Sequence, residues 1–460
     1  MRKKLTLILL LATMVTASAC GTNNSNNSNQ TANNTKQPET QAASQANTEP
    51  KELKGDIVFW HSFTQGARKD FIDKAAAEFT AIHPEVNITI ETFAWSEFYT
   101  KWTTGLRAGQ VPDISTALPN HVVEMLDADA LVSIDDVIDN IGRDRFYEAP
   151  LTEGAVDGIS YSLPLYSHAQ VMWYRKDLLD QAGLKVPTTW QELSDAAVAL
   201  NDPPNVYGLS VPMGSNDLLG TRFLNFYVRS AGETLITEDG KANLTSKAAL
   251  DGIKYWTDLY KKVSPEGSAN FVTLDQSTLF YQGKTAFDFN SGFHIGGVET
   301  NSPHLLDYIG AAPIPTVEAG IETPGIETSN IPLVVWKNSK HQDISKAFIE
   351  FIYEDDRYIE FLHSVPGGML PAMKDIVENE KFTSNATIQK FGDSVKVISE
   401  AVNKGTAIGM EYGPKLQSGI ITSQGVIEKM LQEIVLLNGD IEQSAKDAEK
   451  ELNSLFGISQ

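Results

Sequence analysis

Apolar residues change period several times along this chain, and each change marks an element. Gly55-Asp56-Ile57-Val58-Phe59-Trp60 is a near-continuous apolar run, the pattern of a strand whose sheet is covered on both faces. Phe71, Ala75, Phe79 and Ile82 then recur at three- and four-residue spacing, which predicts a helix ended by Pro84. Val86 to Phe93 alternates as a second strand, and Ser96 to Ala108 returns to helical spacing, so the chain opens as strand, helix, strand, helix. Ile159 to Trp173 mixes β-branched, aromatic and small residues around Pro164, an extended segment interrupted at a bend or a sheet edge. Asp177 to Ala182 with Gly183 after it reads as a short helix with a glycine stop, and Thr189-Trp190-Gln191-Glu192 as a capping box. Further on, Val206 to Val211 predicts a strand, Leu250 to Lys261 a helix and Ile331 to Trp336 a strand. His341 to His363 reads as one long amphipathic helix with Phe348, Phe351, Ile352, Ile359 and Leu362 on its apolar face, and Gly425 to Leu455 as a helical tail.

The amino terminus follows a different logic. Met1-Arg2-Lys3-Lys4, an apolar run from Leu5 to Val15 and Ala17-Ser18-Ala19 form an export signal over residues 1–19, shorter than the ~20 apolar residues a spanning helix needs. Cys20, the one cysteine of the chain, stands just after the expected cut, as in the bacterial lipoprotein pattern, although Ala17 occupies a place where leucine is commonest. Lipidation at Cys20 is therefore expected, with cleavage to an unlipidated protein as the alternative, and a lone cysteine excludes an internal disulfide. Residues 20–52 are rich in Asn, Gln, Thr, Ser and Ala, the composition of a flexible polar linker. Some four hundred residues remain, more than one hydrophobic core serves, so at least two lobes are expected. The formal charge is -22. Such a balance argues against a nucleic-acid surface, and its even spread reads as solubility.

Tyr161 to Pro164, then Gly183, Pro187, Thr189, Trp190 and Glu192, stand at a spacing that resembles the extracellular solute-binding protein family, sugar-binding type, which delivers ligands to ATP-binding-cassette importers. Arg175 departs from it, standing where asparagine is usual, and His168 stands where many relatives carry an acid. Val111-Pro112-Asp113-Ile114 resembles a further strand of the family and places Ala117 to His121 in the loop beyond it. Phe280 to Phe287 resembles the approach to a ligand-facing turn, here Asn290-Ser291-Gly292-Phe293-His294, and Ser364 to Pro371 a loop into the second lobe. The resemblance implies an α/β fold of two lobes, periplasmic-binding-protein-like, with a hinged cleft between them. Lobe 1 would comprise residues 53–164 and 312–362, and lobe 2 residues 165–311 and 363–460, with Gly310 to Pro315 as the return crossover. It further implies a monomer, a saccharide ligand, permease subunits as partners and a membrane attachment through the lipid anchor, with no cofactor.

No metal, nucleophile or phosphate-loop signature has convincing spacing, and the eight histidines form no His-x-x-x-His pair. So acidic a chain leaves open paired carboxylates within the ~5 to 10 Å of glycoside hydrolysis, and a secreted carbohydrate-active enzyme is the competing class. Sugar binding needs aromatic platforms and planar hydrogen-bonding side chains. The strand ends of the first lobe offer His61, Ser62 and Thr64, then Trp95, then Asn120 and His121. The second lobe and the crossover offer Tyr166, His168, Ser215, Asn216, Asn290 and Phe293, with Gly368, Met369 and Tyr412 on loops that often face a cleft. By the resemblance Phe293 matches a stacking aromatic, Asn120 a polar contact and His168 the crossover acid. Trp60, Trp173 and Trp190 read instead as core or turn packing. Phe59-Trp60-His61-Ser62 also resembles a glycerophosphodiester-binding branch, ranked below an oligosaccharide because these candidates include few cations.

Overall fold

The computed structural model describes residues 52–458, except 65, 216, 322–326 and the side chain of residue 96. The strands are β1 (Gly55–His61), β2 (Val86–Thr92), β3 (Ile114–Thr116), β4 (Ala155–Val156), β5 (Ile159–Ser160), β6 (Ser162–Ala169), β7 (Val171–Arg175), β8 (Tyr207–Leu209), β9 (Thr285–Asn290), β10 (Ile309–Ala312) and β11 (Thr328–Val335). Five of them form a first sheet in the order β2-β1-β3-β11-β6, and four a second in the order β10-β7-β9-β8, while β4 and β5 make a small hairpin. β1 is parallel to both its neighbours, and β11 runs antiparallel to β3 and β6.

The first sheet is apolar on both sides, as the run in β1 requires. Ile57 and Phe59 enter one core cluster with Phe71, Phe79 and Phe348, whereas Trp60 enters another with Trp102 and Trp336. β11 alternates in the same way, sending Leu333 and Val335 to one face and Val334 to the other. The second sheet has its own core around Trp173, Trp190, Phe223, Trp256 and Phe289. Trp190 opens the helix Trp190–Ala199 behind a complete Thr189/Glu192 capping box, and its indole N–H donates to Ser230 Oγ at 2.7 Å. Helix Ala67–Ile82 buries Phe71, Ile72, Ala75, Ala76 and Phe79, but Ile82, expected on that stripe, is exposed at the frayed end.

Pro164 lies in β6, the edge strand of the first sheet, where the missing N–H breaks no ladder, and the β6–β11 register shifts between Ile331 and Pro332. The sheet change falls later than expected, at Gln170, because β6 stays in the first sheet to Ala169 and β7 begins the second at Val171. Two buried phenols hold it there: Tyr353 donates to Pro164 O and Tyr358 to Leu165 O, both at 2.8 Å, with their rings stacked 5.0 Å apart. The same residues account for a second difference. The expected single helix over 341–363 is two, Gln342–Ile352 and Asp355–His363, because the chain bends at Tyr353 to bring both hydroxyls onto β6. Gly310 to Ala312, expected in the return crossover, pair with β7 in the second sheet, so the return lies between Ala312 and Thr328. The third passage also moves from residue 363 to about Phe391, because Met369, Met373, Ile376, Phe382 and Ile388 still fill the first core. The tail is two helices, Val426–Leu436 and Ile441–Leu455.

One buried carboxyl joins that tail to the second lobe. Glu428 Oε1 accepts from Thr221 N at 2.8 Å, satisfying an amide in the first turn of helix Leu219–Ser230. Burial pushes the Glu428 carboxyl up to about 7. A carboxyl raised in the folded state costs stability as pH climbs from its unfolded value, 4.5, to that folded value. Glu428→Gln keeps the acceptor and cannot ionise, so its urea midpoint should gain on the parent between pH 5 and pH 8, and a constant gap would remove Glu428 from this role.

Candidate ligand-binding site

The loop after β1 folds back on itself. Phe63 N donates to His61 Nδ1 at 3.1 Å, so the neutral ring carries its proton on Nε2, and that N–H is buried without a partner. Burial pulls the His61 imidazole down to about 4. Ser62 Oγ is likewise buried and unpartnered, while Thr64 is exposed.

β6 supplies the next two candidates, on one face because they are two residues apart. Tyr166 is fully buried, and its hydroxyl accepts from Arg68 Nη1 at 3.4 Å. The His168 ring lies 6.1 Å from Tyr166, and its Nδ1 has no partner. Burial first, then the positive charges of Arg222 and Arg68, lower the His168 imidazole to about 3, so it is a neutral hydrogen-bonding group at physiological pH. From the second lobe, Phe293 at the start of helix Phe293–Asn301 meets His168 edge-on at 5.9 Å and Tyr166 at 6.3 Å. The turn that carries Phe293 is braced from beneath. Trp173 Nε1 donates to Ser291 O at 3.0 Å, and His294 Nε2 bonds Asp288 Oδ2 at 2.7 Å. Asn290 is used within the same brace, donating to Ser277 Oγ and accepting from Ser291 N. Gly292 lies so close to Gly367 O that a Cβ would overlap it, which packs Gly368 against the Phe293 turn. Leu370 exchanges two backbone hydrogen bonds with Ser167, covering the open edge of β6, and Met369 points into the first core.

The remaining candidates lie elsewhere. Trp95, half-buried, packs against Phe98 at 5.5 Å. Asn120 opens helix Pro119–Asp127 and donates through Nδ2 to Thr422 Oγ1, on helix Leu416–Ser423 of the second lobe. His121 sits among Tyr99 and Trp102, with burial pulling its ring down to about 3. One turn on, Glu124 accepts from Tyr99 OH at 2.8 Å, and its other oxygen is buried beside Gly419. Ser215 is exposed, Asn216 lies outside the described residues, and Tyr412 is 49% exposed.

Three groups that the sequence reading passed over complete the picture. Arg68 stacks between Phe63 and Phe293, 4.7 and 4.8 Å from their centroids. Arg222 forms a buried bidentate pair with Glu327 at 2.7 and 2.8 Å, and Glu327 O accepts from the amide of Gln170 at the sheet change. Beside Tyr412, burial raises the Glu411 carboxyl, which lies 3.8 Å from Arg229. Arg68 did leave a trace: it and Lys69 put two cations in the first turn of a helix, against the backbone dipole. Two surface hollows of about 510 and 630 Å³, lined by second-lobe residues such as Lys415 and Phe456 or Tyr227 and Tyr255, do not include this cluster. Among the described residues no group of three His, Cys, Asp or Glu side chains could hold a metal ion, and no helix is long and apolar enough to cross a membrane.

Two sheets, a single-residue change between them and unpartnered polar groups where both lobes meet define a binding protein of the two-lobe type. The sequence profile of the bacterial extracellular solute-binding proteins matches residues 65–357, well over half of the chain, and the chain belongs to that family. It is 25% identical over 413 residues to the putative ABC transporter periplasmic-binding protein YcjN of Escherichia coli, covering 87% of this chain and 92% of that one. It is 23% identical to the maltotriose-binding protein of Pyrococcus abyssi over 86% of this chain and 82% of the relative. A solute-binding protein of Thermotoga lettingae, solved with α-D-tagatose, superposes with a TM-score of 0.77 at 22% identity, covering 88% of this chain and all of that one. The fold is accordingly the two-domain one of periplasmic solute-binding proteins.

The helix contact beside Asn120 gives a test of lobe closure. Gly419→Ala puts a methyl group into Glu124, an overpacking worth about 1–3 kcal/mol against the joined state. Small-angle scattering of the ligand-free protein should show a larger radius of gyration, and an unchanged radius would show that the contact absorbs the methyl.

Proposed function

We propose that the protein captures a saccharide, most readily an oligosaccharide, between its two lobes and hands it to the permease of an ATP-binding-cassette importer. The observation that carries this reading is the meeting of Tyr166 and His168 on β6 with Phe293 of the second lobe, beside the unpartnered His61 Nε2–H and Ser62 Oγ. Buried polar groups left without partners are costly, and sugar hydroxyls both donate and accept. The half-buried Phe293 ring supplies aromatic surface for the apolar side of a pyranose. Relatives named for maltotriose and arabino-oligosaccharides support that ligand class. Because the contacts come from both lobes, a ligand gains its full affinity only when they close, and binding shifts the population toward that state. The role is capture without turnover, by a monomer.

An export signal followed by Cys20 supports attachment at the outer face of the cell membrane through a lipid on that residue, with the polar segment after it as a tether. Cys20 lies outside the described residues. Cys20→Ser should abolish palmitate labelling and release the protein from the membrane fraction; a variant still retained there would refute the anchor.

A thermal-shift panel on the leaderless protein, followed by calorimetry, tests the ligand. At least one oligosaccharide should raise the melting temperature without being consumed, and Phe293→Ala should weaken it more than tenfold, about 1.4 kcal/mol. Hydrolysis of the ligand would overturn the binding role, and an unaltered affinity would remove Phe293 from the site.

A further inference from the structure

The reading of the cleft as the ligand site leaves the Arg68 guanidinium unexplained. It stands between two aromatic faces contributed by different lobes, Phe63 after β1 and Phe293 of the second lobe. Of its five N–H groups, one makes a long bond of 3.4 Å to Tyr166 OH, and none meets a carboxylate among the described residues. The other arginines among the described residues are treated differently. Arg143, Arg145, Arg175, Arg222, Arg229 and Arg357 each lie within 4 Å of a carboxylate, and Arg107 is exposed to solvent. In a chain with 59 acidic and 37 basic residues, a partly buried guanidinium that meets no acid is conspicuous.

We propose that the ligand of this cleft carries an anionic group, a carboxylate or a phosphate, which docks on the Arg68 guanidinium between Phe63 and Phe293. Stacking leaves the edge of the guanidinium, with its forked donors, as the free surface, and that edge matches two oxygens of one anion. The groups around it are neutral or already paired. His61 offers a buried N–H, Ser62 a hydroxyl, and His168 an uncharged ring, while Arg222 is matched by Glu327. Closing the lobes on a neutral ligand would desolvate an unpaired cation, whereas an anionic ligand supplies its partner as the water leaves. The overall charge of -22 repels anions at a distance, so recognition of one here requires a local cation of this kind.

Calorimetry on the whole leaderless protein decides the matter with four probes: trigalacturonate, maltotriose, glycerophosphocholine and inorganic phosphate, each at 20 and 500 mM sodium chloride. An acidic probe should bind at least tenfold more tightly than maltotriose, weaken with salt, and lose at least tenfold on Arg68→Gln with less lost on Arg68→Lys. Circular dichroism and the melting temperature of each variant exclude misfolding as the cause. Binding of trigalacturonate identifies a carboxylate, and binding of glycerophosphocholine or phosphate a phosphate. If glycerophosphocholine alone binds, the anion proposal stands and the saccharide reading falls. If maltotriose binds best and Arg68→Gln is silent, the saccharide reading stands and the anion proposal is overturned; binding of none of the four overturns it as well.

Discussion

The whole arrangement depends on how one extended segment is shared between two sheets. From Ser162 to Ala169 the chain is the edge of the first sheet, and from Val171 to Arg175 it is a central strand of the second, with Gln170 alone between them. Tyr353 and Tyr358 anchor the first half by bonding consecutive carbonyls, at Pro164 and Leu165, just where a proline leaves the register irregular. With the strand fixed so close to the change of sheet, Tyr166 and His168 have little choice of position. They stand on the same face, a few residues before the joint, where anything the second lobe presents must pass in front of them.

What the second lobe presents is equally constrained, by chemistry buried behind it. Phe293 is aimed by a turn whose backbone carbonyls are held by Trp173 and whose next residue, His294, is locked onto Asp288. The close approach of Gly292 to Gly367 then ties that turn to the loop that covers the edge of β6. The resulting surface is unusual in its electrical character. Two imidazoles beside it, of His61 and His168, are kept uncharged by burial, so hydrogen-bonding capacity is supplied by neutral groups and the charge is concentrated on arginine.

Much of this was legible in the sequence, for local reasons. The continuous apolar run of β1, the proline-bearing segment around Pro164 and the capping box at Thr189 each encode their structure within a few residues, and Trp173 sits in the core as its apolar run suggested, whereas Trp190, expected to pack the turn, reaches into that core as well. Other features were written in contacts between distant parts of the chain. The break at Tyr353 is invisible to periodicity because both helices flanking it face the same core, so the apolar stripe continues through the bend. Met369 looked like a loop residue facing a cleft yet fills the first core, and Asn120, expected in a loop, lies in the first turn of a helix and bonds Thr422 of the second lobe. Arg68 gave only a faint sign, because its environment is made by Phe293, which no reading of its own neighbourhood could bring beside it.

The contact between helices Pro119–Asp127 and Leu416–Ser423 involves groups from both lobes and none of the cluster around Tyr166. It is one of the contacts between the lobes, beside those of Phe293 with Tyr166, His168 and Arg68, and in a protein whose lobes open and close such a contact weights the joined form, whose population scales the apparent affinity. Substitutions at Asn120, Glu124, Gly419 or Thr422 could retune the concentration at which the protein fills, by the same factor for every solute. On the proposed reading, selectivity would then rest with the cluster around Tyr166 and sensitivity partly with this distant helix contact, so that the two could drift separately in evolution.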